Sequence, residues 1–176
     1  MNFVRQTDSV DKRLISALRT NARVTFAELA RVVGLSAPAV HERVGKLEAA
    51  GVITGYHAAV APAALGLDVS ALVGILQGDR GDSDKIYAAL RDMPEIEDCW
   101  FVAGEETFVV KVRVPDMPSL EQAIGALNRI RGVARTRTTV VLSTRFEGRV
   151  RTDPGDPAGR ESAGGVSVPA ADAQYE

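Results

Sequence analysis

The stretch ELARVVGLSAPAVHERVGKLEAAG, residues 28–51, leaves the chain few ways to fold. It contains two helical patterns joined only by glycine, leucine and serine. In the first, Thr25 lies three residues before Glu28, the spacing of a capping box, and Gly34 stands where a left-handed residue ends a helix. Ser36 then opens the second as its N-cap. Pro38 falls in that helix's first turn, where a missing N–H costs nothing, and the pattern runs to about Ala50, before Gly51. Upstream, DSVDKRLISALRTNAR supplies another helix: Asp8 caps it, Val10, Leu14, Ala17 and Leu18 recur at helical spacing, and Asn21-Ala22-Arg23 stops it.

A helix, a tight glycine turn and a second helix make a helix-turn-helix, whose second helix lies in the major groove of DNA. On that helix Val40, Val44 and Leu47 form the stripe that must face the other two helices. Ala37, Pro38, His41, Glu42, Gly45 and Lys46 are left over, a surface that is small at its N-terminal end and carries donors along its length. Ser36, Pro38 and His41 are the candidate base-facing residues, with Ala37 offering a methyl that can meet thymine. Arg43, Lys46 and Arg31 are the candidate phosphate contacts. Arg43 stands beside the buried stripe, so holding the helix in its domain is the alternative for it. After the helix, VITGYHAAV reads as a wing or as a strand leading out.

The net charge of −2 does not argue against this surface, because it is unevenly spread. Residues 1–62 carry a net +3, residues 63–146 a net −2 and residues 147–176 a net −3. Phosphate contact is local, so the sign of the first segment decides. With 45% hydrophobic and 25% charged residues the chain has the composition of one domain or two small ones. The apolar runs are too short to span a membrane and the first ten residues lack the plan of a signal peptide, so a cytoplasmic protein is expected. One cysteine, Cys99, and two histidines, His41 and His57, exclude a disulfide framework and argue against a metal site.

Residues 58–66, AAVAPAALG, read as a linker after a DNA-binding domain at 1–57. Residues 67–147 then change period. DVSALVGILQ is strand-like, SDKIYAALRDM helical, EDCWFVAG and TFVVKVRV are strands around a Gly-Glu-Glu loop, SLEQAIGALNRI is helical and VARTRTTVVLSTRF is a long last strand. The order βαββαβ is the ferredoxin-like plan, making the chain α+β overall. Apolar residues occur on both faces of these strands, as in Leu72-Val73, Ile75-Leu76 and Val109-Val110. Two helices cover one face only, so the other is expected to pair with a second copy, and a dimer would offer two recognition helices to a pseudo-palindromic site. Residues 148–176 are rich in Gly, Pro, Ala and Ser and are expected to be a disordered tail.

The ordered set Asp11, Asn21-Ala22-Arg23, Glu28-Leu29-Ala30, Gly34-Leu35-Ser36, Val40, Arg43, Leu47-Glu48, Gly51-Val52-Ile53 and Gly55-Tyr56 resembles the N-terminal half of the Lrp/AsnC, or feast/famine, bacterial transcription regulators. The resemblance extends over about residues 8–148. It implies a double-stranded DNA operator, a C-terminal domain that pairs into dimers and assembles to tetramers or octamers, and an amino-acid effector, with no cofactor. In the family the loop before the third strand usually reads GxYDYLLKV; here it reads Gly104-Glu105-Glu106-Thr107-Phe108-Val109-Val110-Lys111-Val112. Glu106 replaces the usual Tyr and Thr107 the usual Asp, so the charge that would meet an ammonium group must come from Glu105 or Glu106. The candidate effector residues implied are Gly104, Glu105, Glu106, Thr107 and Phe108, with Thr136 and Thr138 of the last strand offering hydroxyls or, on its other face, Arg137 a guanidinium.

Two other classes compete. A small ferredoxin-like enzyme needs a catalytic constellation, and residues after His57 contain no histidine and no phosphate loop, so no catalytic residue is nominated. A helix-turn-helix that binds protein, joined to an amino-acid sensor, is compatible with the apolar Ala37-Pro38-Ala39 start.

Overall fold

The computed structural model describes residues 7–79 and 81–148, which group into two compact units dividing near Ala58 and Arg145. The last 28 residues of the expected tail, 149–176, lie outside the described residues. Three capped helices build the first unit: α1 Ser9–Thr20, α2 Phe26–Val33 and α3 Ala37–Ala49. Asp8 and Asp11 close a reciprocal capping box on α1, and Thr25 and Glu28 close one on α2. Gly34 ends α2 at φ +75°, a conformation that a side chain resists, and its N–H reaches the Ala30 carbonyl at 2.8 Å. Two residues later Ser36 caps α3 by accepting from the Ala39 N–H. The stop of one helix and the start of the next are therefore fixed within three residues, which sets their crossing.

The buried cluster of this unit is Leu14, Leu29, Ala30, Val33, Val40 and Val44, with Leu47 also buried. Each helix contributes the stripe its period requires. The segment after α3 departs from expectation: no strand or wing forms between α3 and a short 3-10 helix at Pro62–Leu65. Gly55 interrupts the run, and the Tyr56 hydroxyl donates to Glu48 at 2.7 Å, tying this stretch back to α3 without a sheet partner.

The second unit runs β1 Val69–Gln77, α4 Ser83–Arg91, β2 Ile96–Phe101, β3 Phe108–Val114, α5 Met117–Arg129 and β4 Val133–Val141. Its four strands are antiparallel in the order β2-β3-β1-β4, the ferredoxin-like arrangement. Ala71, Val73 and Ile75 of β1 and Phe108, Val110, Val112 and Val114 of β3 pack with Ile86 and Leu90 of α4 and Leu120, Ala123 and Leu127 of α5. The alternate residues form the face that no helix of the unit covers. There Leu72 is 40% exposed and Trp100 46%, next to Val109 and flanked by charged side chains. Among the described residues no helix is long and apolar enough to cross a membrane.

Candidate functional site

On α3 the buried stripe of Val40, Val44 and Leu47 leaves Pro38, His41, Glu42, Gly45 and Lys46 exposed on the far side. Ser36 stands exposed at the start of this face, its hydroxyl accepting from the Ala39 N–H at 3.4 Å. His41 is not loose: its ring meets Phe26 of α2 edge to face, centroids 4.9 Å apart and planes at 80°. Lys46 pairs with Glu42 one turn earlier, and this hydrogen bond holds the Glu42 carboxyl below the usual carboxylate range. Arg31, in the last turn of α2, is exposed.

Two of the sequence candidates sit elsewhere. Ala37 is half-buried and packs on the core cluster. Arg43 turns toward α1, where one nitrogen lies 2.8 Å from both Asp8 and Asp11. Asp11 is the buried member, its side chain 5% exposed. The Asp8 carboxyl is held below its ordinary value first by the Asp11 N–H and then by Arg43. A buried carboxylate without its cation would be costly, so this contact ties α3 to the start of α1. The structure thus gathers Ser36, Pro38, His41 and Lys46 on one surface and gives Arg43 the alternative role, orienting that surface.

In the second unit the loop between β2 and β3 is anchored at both ends. The Val102 N–H donates to the Thr107 carbonyl at 3.0 Å, the Thr107 N–H donates to the Ile75 carbonyl at 2.8 Å, and the Thr107 hydroxyl accepts from the Gln77 N–H. Thr107, at the position where an acid was expected from the resemblance, is thereby committed to β1. Gly104, at φ +150°, opens the loop to solvent. Glu105 pairs with Arg135 and, at 2.8 Å, with Arg137; Glu106 pairs with Arg137 at 2.8 Å. Arg137, first, holds the Glu105 carboxyl below the usual range. To reach Arg137, Glu106 lies across Gly74 of β1, and a Cβ at position 74 would come within 2.6 Å of its Cγ. β1 is therefore bare of side chain where the loop crosses it.

The remaining candidates do not join this cluster. Pairing places Thr136 opposite Ile75 and Thr138 opposite Val73, on the helix-covered face. The Thr136 hydroxyl accepts from Asn128 of α5 at 3.0 Å. Thr138 lines a groove of about 420 Å³ with Met117, Pro118, Leu120, Glu121, Ile124 and Val140. Phe108 is 3% exposed and is a core residue, packed edge to face on Phe101. The candidate set is split by the sheet: Glu105 and Glu106 pair with Arg135 and Arg137 on the open face, whereas Thr136, Thr138 and Phe108 lie on the other. Arg135 and the Phe26 ring were not nominated from sequence. An aromatic in the first turn of α2, at the outer end of the stripe of Leu29, Ala30 and Val33, was the available signal for the latter.

The AsnC-type helix-turn-helix domain matches residues 8–48, and the Lrp/AsnC ligand binding domain matches residues 69–151. The chain is 42% identical over 144 residues to the HTH-type transcriptional regulator LrpA of Mycobacterium tuberculosis, covering 81% of this chain and 94% of that one. It is 32% identical to the regulatory protein AsnC of Escherichia coli, over 77% of this chain and 90% of the relative. Among solved structures, a feast or famine regulatory protein of M. tuberculosis complexed with L-methionine superposes with a TM-score of 0.78 at 38% identity, covering 83% of this chain and 99% of the other. These relatives regulate transcription, which removes the enzyme alternative. With both halves matched in order and the site built on a helix-turn-helix, this chain belongs to the Lrp/AsnC family of DNA-binding transcriptional regulators.

Proposed function

We propose that this regulator binds an operator through Ser36, Pro38, His41 and Lys46 of α3, that it does so as a cytoplasmic homo-oligomer, and that an amino acid is its effector. The observation that carries the effector reading is the open-face cluster of Glu105, Glu106, Arg135 and Arg137. It presents both charges of a zwitterion's complement on one surface: guanidinium for a carboxylate, carboxylate for an ammonium group. The L-methionine complex of the M. tuberculosis relative supports the same class of ligand. In this reading residues 1–57 bind DNA, 58–66 connect, and 67–147 sense and assemble.

The assembly surface is the open face of the sheet, where Leu72, Trp100 and Val109 lie between the Glu105–Arg137 cluster and the Lys111–Glu97–Arg113 pairs. An apolar strip rimmed by paired charges suits a two-fold contact between copies. A dimer that assembles further gives the effector its leverage: a ligand that favours one assembly state shifts DNA affinity, and DNA shifts ligand affinity by the same factor.

The test is a mobility-shift titration of the protein on its own upstream DNA, with excess nonspecific competitor, repeated in the presence of each proteinogenic amino acid. A discrete complex that one amino acid alters is the expected result. A discrete complex indifferent to all of them would leave the DNA reading standing and remove the amino-acid effector. Static light scattering showing a monomer at micromolar concentration would remove the assembly reading.

A further inference from the structure

We infer that Phe26 is a positioning residue for operator specificity: it fixes the direction of the His41 imidazole from the neighbouring helix, so that base discrimination at His41 depends on a residue of α2. The inference rests on the reading above that His41 faces bases. Phe26 is the first residue of α2 and is 40% exposed, whereas the buried side chains of that helix are Leu29, Ala30 and Val33. By period Phe26 lies at the outer end of the stripe of Leu29, Ala30 and Val33, yet with 40% of it exposed the core does not take up the whole ring. What the ring does touch is His41, edge to face at 4.9 Å, and His41 stands on the exposed side of α3 with Pro38 and Lys46.

An exposed imidazole on a helix samples several rotamers, and each one aims its ring nitrogens at a different place. A base reader that must first be ordered loses affinity for its correct base and with it the contrast against wrong ones. The perpendicular ring contact biases this choice before DNA arrives. Phenylalanine suits the task because it fixes the ring without offering a lone pair that would compete with a base for its N–H. The adjacent carboxylate, Glu42, is engaged by Lys46. The capping box of Thr25 and Glu28 fixes where α2 begins, so Phe26 is held at a set height against α3.

The experiment uses the full chain and a duplex recovered from a randomised DNA pool by selection on the wild-type protein. Dissociation constants are measured on that duplex and on its single base-pair variants for wild type, His41→Ala, Phe26→Leu and Phe26→Tyr, with the salt dependence of each. The expected result is that His41→Ala flattens the preference at one or two positions per half-site. Phe26→Leu should then reduce discrimination at those same positions by about two- to tenfold, leaving the salt slope and nonspecific binding unchanged. Phe26→Tyr, which keeps the ring, should retain discrimination. If His41→Ala flattens a position that Phe26→Leu leaves intact, the positioning role is overturned while base reading by His41 survives. If His41→Ala changes no position, base reading by His41 fails and the inference falls with it. Uniform weakening on every duplex by Phe26→Leu would mark a structural role and overturn the proposal.

Discussion

Replacing Val40 by Ala tests whether the recognition helix is held by its own unit's packing. Val40 is fully buried in the cluster of Leu14, Leu29, Ala30, Val33 and Val44. The substitution removes two buried carbons, about 1.6 kcal/mol at roughly 0.8 kcal/mol per carbon, and the residual cavity adds roughly 1 kcal/mol. The loss is therefore about 2–3 kcal/mol. A unit of about 50 residues has a total stability of roughly 3–8 kcal/mol, so the change consumes a large share of it. With a urea dependence of about 1 kcal/mol per molar for so small a unit, the midpoint of α1–α3 should fall by about 2–3 M. Trp100, the only tryptophan, lies on β2, so its fluorescence follows the sheet unit, while amide resonances of α1–α3 follow the helical one. The α1–α3 resonances should collapse at lower urea while the Trp100 transition stays in place. An unmoved α1–α3 midpoint would refute the anchoring argument, and an equal shift of both signals would refute the assignment of Val40 to a separate core.

Two further outcomes follow from single contacts. Lys46→Ala should weaken binding to all DNA sequences and lower the salt slope by about one phosphate, while Glu42→Gln, which releases Lys46 from its partner, should tighten it; titrations at several salt concentrations measure both, and an unchanged slope in Lys46→Ala would take Lys46 off the phosphate. Burial first, and then the hydrogen bond to Glu48, push the Tyr56 phenol up to about 12. Because the folded value is the raised one, the contribution is complete below the ordinary tyrosine value near ~10 and is lost as pH rises from there toward the folded value. An ultraviolet titration should therefore show one phenol ionising late in the wild type and no late step in Tyr56→Phe; two identical curves would exclude the contact.

Local chemistry made the helical half legible. Asp8, Thr25, Ser36 and Gly34 each act within four residues of themselves, and all four occupy the caps and the turn that their spacing indicates. The βαββαβ order was legible for the same reason. What escaped was set by pairing at long range. Asp11 and Arg43 are 32 residues apart, and no local pattern says which side of the buried stripe an arginine will take. Thr136 and Thr138 could not be assigned a face without the register of β4 on β1, since a shift of one residue exchanges the faces of every side chain. The stretch after α3 has strand composition but no strand to pair with, and composition alone does not supply one.

The Arg43 contact has two legs that respond differently to electrolyte. Asp8 is half in water, its side chain 51% exposed, while the Asp11 side chain is 5% exposed. Mobile ions screen the exposed first leg, a contact of 2.8 Å, once the Debye length shrinks to about 3 Å near 1 M salt, and scarcely reach the second. Brine strong enough to strip the protein from a duplex thus leaves α3 latched at its buried end. The desorbed molecule keeps its reading head in shape, and on dilution it can resume its search along DNA without first reassembling the head.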